Sequence, residues 1–225
     1  MHSFSPHAAM VRSRRSVRGF LPTPVPQALL EQLLETARQA PSGANLQPGR
    51  FWALQGAARE RVSAALCEAV RSGQPEREEY DYFPQPMPMQ LRKRQVASAQ
   101  ALYRSLGIAR GDAPARQQQF ERNYRFFDAP VALLVTIDRA FGHGGFMDLG
   151  LCLQGLLLAA HAEGLGACAI GALASYPEIV RRELGLPESE IVVCGVALGW
   201  PDPHAPVNQA QTEREPLAQY FQVIS

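Results

Sequence analysis

The segment from Phe146 to Glu163 is apolar nearly all the way round when wound as a helix. A helix without a polar face must be covered on every side, so the rest of the chain has to supply layers around it. Asp148 and Gln154 interrupt the run and His161 and Glu163 flank it, and it is shorter than a usual membrane span. It therefore reads as a core helix, and so much apolar surface in a modest chain points to a subunit interface as part of its cover.

Two continuous apolar runs rich in β-branched residues, Val131–Ile137 and Ile191–Gly199, have the pattern of interior strands covered on both faces. Shorter strands are expected at Phe51–Leu54 and Gly166–Gly171. Between Gln27 and Ala40, Leu29, Leu30, Leu33, Leu34 and Ala37 repeat as one helical face, fenced by Pro22, Pro24 and Pro26 before it and Pro41 after it. Further helices are expected at 57–71, 90–106 and 112–127. Ser175-Tyr176-Pro177-Glu178 has the form of a capping box, with Ser175 as N-cap, opening a helix to Leu184. Strands separated by helices, with no repeat and no low-complexity linker, predict an α+β fold: one domain over 1–225, a three-layer α-β-α sandwich with a central mixed sheet and a long buried interface helix.

The 225 residues carry a formal net charge of +1, which favours a small molecule over nucleic acid or an acidic membrane as partner. Cys67, Cys152, Cys168 and Cys194 stand singly in apolar surroundings, without the paired spacing of a metal or redox site, and read as buried thiols of a cytoplasmic protein. Met1–Met10 has no apolar run followed by a small-residue cleavage site, so no secretory signal is expected there.

Arg14-Arg15-Ser16-Val17-Arg18-Gly19-Phe20 sets three guanidiniums and a hydroxyl just ahead of the first amphipathic helix. Arginine forks pair with phosphate in a bidentate manner and stay charged at any working pH. Basic clusters near a terminus are more often solvated faces or structural ion pairs, and the residues alone leave both readings open. The loop Ala40–Gly49 is dense in residues that form turns and offer amide donors, as binding loops do and ordinary surface connections also do. From Gly73 to Met89, Pro75, Pro84, Pro86 and Pro88 forbid helix, and Tyr80, Tyr82 and Phe83 suit a lid over a site or an excursion onto a partner subunit. Gly164-x-Gly166-x-x-Ala169 imitates a dinucleotide fingerprint, but it leaves a helix and enters a strand, the reverse of what phosphate binding at a helix N-terminus requires.

Taken in order, Arg14-Arg15-Ser16-x-Arg18, Ala40-Pro41-Ser42-x-x-Asn45-x-Gln47-Pro48, Asn123-x-x-Phe126-Phe127-x-Ala129-Pro130 and Asp148-Leu149-Gly150 ahead of Gly164-Leu165-Gly166 make a specific series. On these motifs the chain resembles the nitroreductase family of flavin enzymes from Val11 to Phe221. The resemblance implies an FMN-dependent homodimer with two active sites at its interface, using NADH or NADPH to reduce nitroaromatics or quinones by a ping-pong hydride transfer, with the chemistry carried by FMN and no catalytic side chain or metal required. It implies that Arg14, Arg15 and Ser16 hold the FMN phosphate and ribityl chain, and that Arg18 lies beside the flavin pyrimidine and favours its reduced anion. By the same resemblance the partner subunit contributes Pro41, Ser42, Gly43 and Asn45. Asn123 falls near the isoalloxazine edge, Ile170, Gly171 and Ala172 bring backbone to the flavin, and Arg214 reaches the phosphate.

Three positions depart from the family pattern: Gly49-Arg50 stand where a tryptophan commonly follows Gln-Pro, no glutamate adjoins Gly171, and Thr212 replaces a lysine two residues before Arg214. The Tyr103–Phe127 stretch is similar to that of members reducing nitrobenzoates. His143 and His161 read as structural. Two other readings stay open: the same FMN fold with other chemistry, such as dehalogenation, enal reduction or flavin fragmentation, and a non-catalytic flavin-binding protein.

Overall fold

A computed structural model of the chain describes residues 5–224. The first four residues of the Met1–Met10 segment lie outside the described residues, and the reading against a secretory signal falls partly on them. Four strands form one sheet: β1 (Arg50–Leu54), β2 (Val131–Asp138), β3 (Gly166–Ile170) and β4 (Glu190–Gly199), in the order β1-β2-β4-β3. The two long apolar runs, β2 and β4, hold the middle, as their composition requires. Alternation along β2 divides the core. Leu133, Val135 and Ile137 face one layer, made by α2 (Gln27–Ala37) and α6 (His143–Ala162). Ala132 and Leu134 face the other, made by α3 (Gly56–Arg71), α7 (Pro177–Leu184) and an aromatic turn carrying Tyr124 and Phe126. Each fully buried leucine of these layers, Leu66, Leu134 and Leu156 among them, contributes about 1.5–3 kcal/mol of hydrophobic stabilisation. The remaining helices, α1 (Pro6–Ser13), α4 (Met89–Ser105) and α5 (Ala113–Glu121), lie outside this sandwich.

The three layers agree with the sequence pattern; several details differ from it. All four strands pair antiparallel, and the parallel pairing of a mixed sheet is confined to a single bridge between Ser16 and Ala167. α6 is long and apolar enough to span a membrane by length and composition, yet it lies against α2 and the sheet. The expectation that it is covered on every side does not hold within one chain: Met147 is 67% exposed and Leu151 46% exposed on its outer side. A single sheet face can cover only one flank of a helix, so an all-round apolar helix keeps an open flank until a second body meets it.

The expected helix over 112–127 breaks after Glu121. Arg122–Asp128 is a tighter turn in which Phe126, Phe127 and Asp128 take left-handed φ values of 52°, 53° and 60°. That conformation costs a non-glycine residue about 1–2 kcal/mol, and complete burial of the two phenylalanine rings outweighs it. The capping box also fails. Ser175 ends a short turn (Gly171–Ser175) and its hydroxyl donates to Glu76 Oε2 at 3.1 Å, while α7 begins at Pro177 without a side-chain cap. Proline has no N–H to be capped at that position, which removes part of the need.

Candidate functional site

The basic lead-in is an extended segment laid along the sheet edge. Val17 N–H donates to Ala167 O at 3.2 Å and Leu21 N–H to Trp200 O at 2.9 Å. The approach is close enough that a Cβ on Gly166 would stand 2.6 Å from the Val17 Cβ, so only glycine fits there. The lead-in is clasped from the far end of the chain by Asn208. Its Oδ1 accepts from Arg18 N–H (2.9 Å) and Gly19 N–H (3.1 Å), its Nδ2 donates to Gly19 O (2.8 Å), and its carbonyl accepts from the Arg15 guanidinium (3.1 Å).

Side chains of an extended segment alternate between faces, and here they separate two spaces. Ser16 and Arg18 open into a groove of about 1810 Å³, Val17 faces a smaller cavity behind, and Arg14 and Arg15 line both. Six arginines and one glutamate line the groove among the described residues: Arg12, Arg14, Arg15, Arg18, Arg94 and Arg214 against Glu215, which pairs with Arg94. No hydrogen bond or ion pair engages the Arg14 guanidinium among the described residues. Among the described residues Arg214 is held by its own neighbours, donating to Thr212 Oγ1 at 2.8 Å. The lining also includes apolar side chains: Phe83 and Met87 from the irregular segment, Leu91 and Leu102 from α4, and Phe120. Cations together with apolar and aromatic lining suit a planar molecule that carries a phosphate. The groove exceeds the roughly 300–1,000 Å³ of a single small-molecule pocket. The donor set thus fits FMN, with room for a second ring.

Arg18 stands over the Phe127 ring, 5.8 Å from its centroid, and Arg122 stands 5.9 Å from the same ring. Arg122 also donates to Arg18 O at 3.1 Å and Phe127 O at 3.3 Å, and burial holds its pKa below the usual guanidinium range. The left-handed Phe126–Asp128 turn is therefore what sets the Phe127 ring beside Arg18. Asn123 lines the groove, with its amide donating to Phe120 O at 2.6 Å.

Other sites expected from the sequence lie elsewhere. Ile170, Gly171 and Ala172, at the end of β3, do not line the groove; Tyr82 of the irregular segment packs 3.5 Å from where a Gly171 Cβ would be. Pro41, Ser42, Gly43 and Asn45 stand away from the groove of their own chain, in an exposed loop tied to α6 by Gly43 N–H donating to Asp148 Oδ2 at 2.9 Å. Leu46 in that loop is 62% exposed and lies three residues after the tie. The missing tryptophan has a local cause: Gly49 takes φ +89° and a Cβ there would meet Leu149 Cδ1 at 2.4 Å.

The irregular segment is anchored at its start by hydrogen bonds. Glu79 accepts from Arg181 at 2.8 Å, Tyr80 Oη donates to Val193 O at 2.6 Å, and Arg77 N–H donates to Ser175 O at 2.9 Å. Beyond these ties Tyr82 and Phe83 meet edge to face, centroids 4.7 Å apart, with Phe83 on the groove. All four cysteines are buried free thiols, and burial raises each pKa, that of Cys194 to about 12, so none offers a thiolate near neutral pH.

Asn208 and Arg122 are the residues that sequence reasoning missed, and Phe127 entered it only as part of a motif, without its place beside Arg18. Asn208 lies in a Pro-rich tail with no periodicity, and its role depends on a contact across 190 positions. Arg122 and Phe127 were hidden by a pattern that looked helical.

A profile of the Nitroreductase family matches residues 11–200. The chloronitrobenzene nitroreductase of Comamonas testosteroni is 40% identical over 94% of this chain and 93% of its own length. The 4-nitrobenzoate reductase of Pseudomonas putida is 35% identical over 95% and 92%. Among solved structures, the FMN- and NADPH-dependent nitroreductase NfnB of a Sphingopyxis strain superposes with a TM-score of 0.94 at 36% identity, covering 98% of this chain and all of that one. NfnB of Mycobacterium smegmatis, solved with NADPH, gives 0.90 at 30% identity over 97% and 98%. With the arginine-lined lead-in, the open α6 flank and the three-layer sheet all found in one chain that these relatives match from end to end, the protein belongs to the nitroreductase family.

Proposed function

We propose that the protein is an FMN-dependent oxidoreductase that uses NADPH or NADH to reduce nitroaromatic compounds, with quinones as further acceptors, in a ping-pong cycle. The observation that carries this is the groove, with its arginines and its apolar lining, in a chain whose relatives are named for reducing chloronitrobenzene, nitrobenzene and 4-nitrobenzoate. FMN, when bound, supplies two-electron transfer between a reduced nicotinamide and a nitro group.

The chain's own residues do the rest. Arg14, Arg15 and Arg214 hold the phosphate with charge-assisted hydrogen bonds, and Ser16 binds the ribityl chain. Arg18, backed by the Phe127 ring and fixed through Arg122, presents a positive charge toward the pyrimidine edge and so favours negative charge there. Asn123 serves the ring edge, and Ile170, Gly171 and Ala172 lie under the lid tip. Phe83 and Met87 exclude water and leave a slot for a flat acceptor. The pairing needs positioning rather than proton transfer by a side chain, so no catalytic residue is assigned.

The functional unit is a cytoplasmic homodimer of one-domain subunits. The open flank of α6, with Met147 and Leu151, and the exposed 41–46 loop give each chain an apolar face toward its twin. Through that face Pro41, Ser42, Gly43 and Asn45 complete the partner's site.

The test is the visible spectrum of the pure protein under anaerobic conditions. A yellow protein that bleaches with NADPH or NADH and recovers its colour on addition of nitrobenzene meets the expectation. A colourless protein that gains no FMN when offered it overturns the proposal, and bound FMN that neither nicotinamide reduces makes the protein a flavin carrier instead.

A further inference from the structure

Behind the lead-in lies the second cavity, of about 490 Å³, walled by Ser13, Arg14 and Arg15 on one side and by Leu157 and His161 of α6 on another. Arg14 and Arg15 line this cavity and the groove alike.

His161 sits in the last turn of α6, with Nε2 2.8 Å from Ser13 Oγ. Ser13 Oγ also lies 3.1 Å from Met10 O, and with its hydrogen turned to that carbonyl it accepts from His161. In that arrangement Nε2 carries the hydrogen in the neutral ring, and Nδ1 holds the lone pair that takes a proton. Partial burial, followed by the charges of Arg14 and Arg15, holds the imidazole below its ordinary range, although a helix C-terminus by itself favours imidazolium. The charges on the elements packed around it are Arg12 and His7 on α1 and Glu31 and Glu35 on α2. Glu163 follows α6, Asp202 lies across the cavity, and β3 brings only the buried Cys168.

On the reading of Arg14 and Arg15 as the phosphate anchor, we infer that the Ser13–His161 pair is a proton-linked part of that anchor: a phosphate monoester seated on the two guanidiniums is bound together with a proton on His161 Nδ1. The anion neutralises the charges that repel imidazolium and attracts it in their place. Protonation in turn makes the Nε2–H···Oγ bond to Ser13 charge-assisted and ties α1 to α6 beside Arg14. No other atom moves and no co-reactant is needed; solvent supplies the proton.

The sign follows from linkage. The bound state has the higher imidazole pKa, so the extra affinity is complete below the free-state pKa and is lost as pH rises through the bound-state pKa. A rise of one unit corresponds to about a tenfold gain. The phosphate's own second ionisation near pH 6 acts the opposite way, so the effect is read as the ratio of wild type to His161→Gln.

The experiment titrates both proteins with FMN, followed by quenching of flavin fluorescence, between about pH 5.5 and 8.5, with riboflavin as the phosphate-free control. NMR of the wild-type His161 ring is recorded with and without FMN. The expected result is an affinity ratio near one at pH 8.5 that grows to about tenfold at pH 5.5 for FMN and stays flat for riboflavin, with the His161 resonance titrating about one unit higher when FMN is bound. FMN binding with a flat ratio, or with His161 titrating identically in both states, overturns the inference and leaves the cofactor reading intact. Absence of FMN binding in wild type overturns both. If His161→Gln does not fold, the wild-type NMR titration decides alone.

Discussion

Glu79→Gln tests whether the irregular segment is held to the core by charge. Glu79 Oε1 accepts from Arg181 at 2.8 Å and from Arg139, and Oε2 receives Val192 N–H at 3.4 Å, so one carboxylate joins the irregular segment to α7 and to β4. The Arg181 side chain is 6% exposed, and stripping the partner from a buried charge costs about 3–5 kcal/mol. Two facts lower that figure. The Arg139 arm is half exposed and adds little. Arg181 also keeps the Glu190 carbonyl at 3.1 Å and the exposed carboxylates of Glu178 and Glu188 at 3.6 Å, while the glutamine amide oxygen still accepts one bond. The expected loss is about 2 kcal/mol at pH 7, which for a chain of this length lowers Tm by roughly 4–8 °C.

The pH dependence sharpens the test. Burial pushes the Glu79 carboxyl up, but the hydrogen bonds and charges of Arg139 and Arg181 prevail, and the net shift is below its ordinary value of 4.5. Its contribution is therefore complete above about pH 4.5 and disappears as pH falls through the depressed folded value. Urea unfolding at matched protomer and FMN concentrations, at pH 7 and at the lowest pH where both proteins remain folded, should show a gap that narrows on acidification. A gap below about 0.5 kcal/mol at pH 7, or one of equal size at both pH values, would refute the reasoning.

Three further outcomes are expected. Leu151→Asp puts a charge on the open flank of α6 and should convert dimer to monomer in sedimentation at micromolar concentration; an unchanged sedimentation coefficient would place the interface elsewhere. Arg14→Ala should weaken FMN binding at least tenfold, from the loss of a charged hydrogen-bond donor, whereas Arg18→Ala should retain the cofactor but make its midpoint potential about 20–40 mV more negative. Equal potentials for wild type and Arg18→Ala would remove the role assigned to Arg18.

The layers of the fold were legible because burial is written in composition. The β2 and β4 runs and the leucine face of α2 admit few other placements. The candidate site was legible only in part, and the reason is range. Arg14 and Arg18 announce themselves by charge, but what positions them does not: Asn208 acts by two amide atoms from a segment with no pattern, and Phe127 acts because its backbone turns left-handed inside a sequence that reads as helix. Ser175 shows the opposite error, a local motif outbid by a distant carboxylate, Glu76. The open flank of α6 in one chain is in keeping with the expectation that a subunit interface is part of its cover.

The Asn208 clasp bears on the order in which the protein matures. Arg18 and Gly19 are made almost at once during synthesis, but the acceptor for their N–H groups comes 190 and 189 residues later. Closing a loop of that length costs roughly 4–5 kcal/mol in chain entropy, so the clasp forms after the sheet has already brought the two ends together. On the proposed reading of the lead-in as the phosphate anchor, a nascent chain has no finished anchor until residue 208 has emerged, and a product stopped before it is expected to bind FMN poorly.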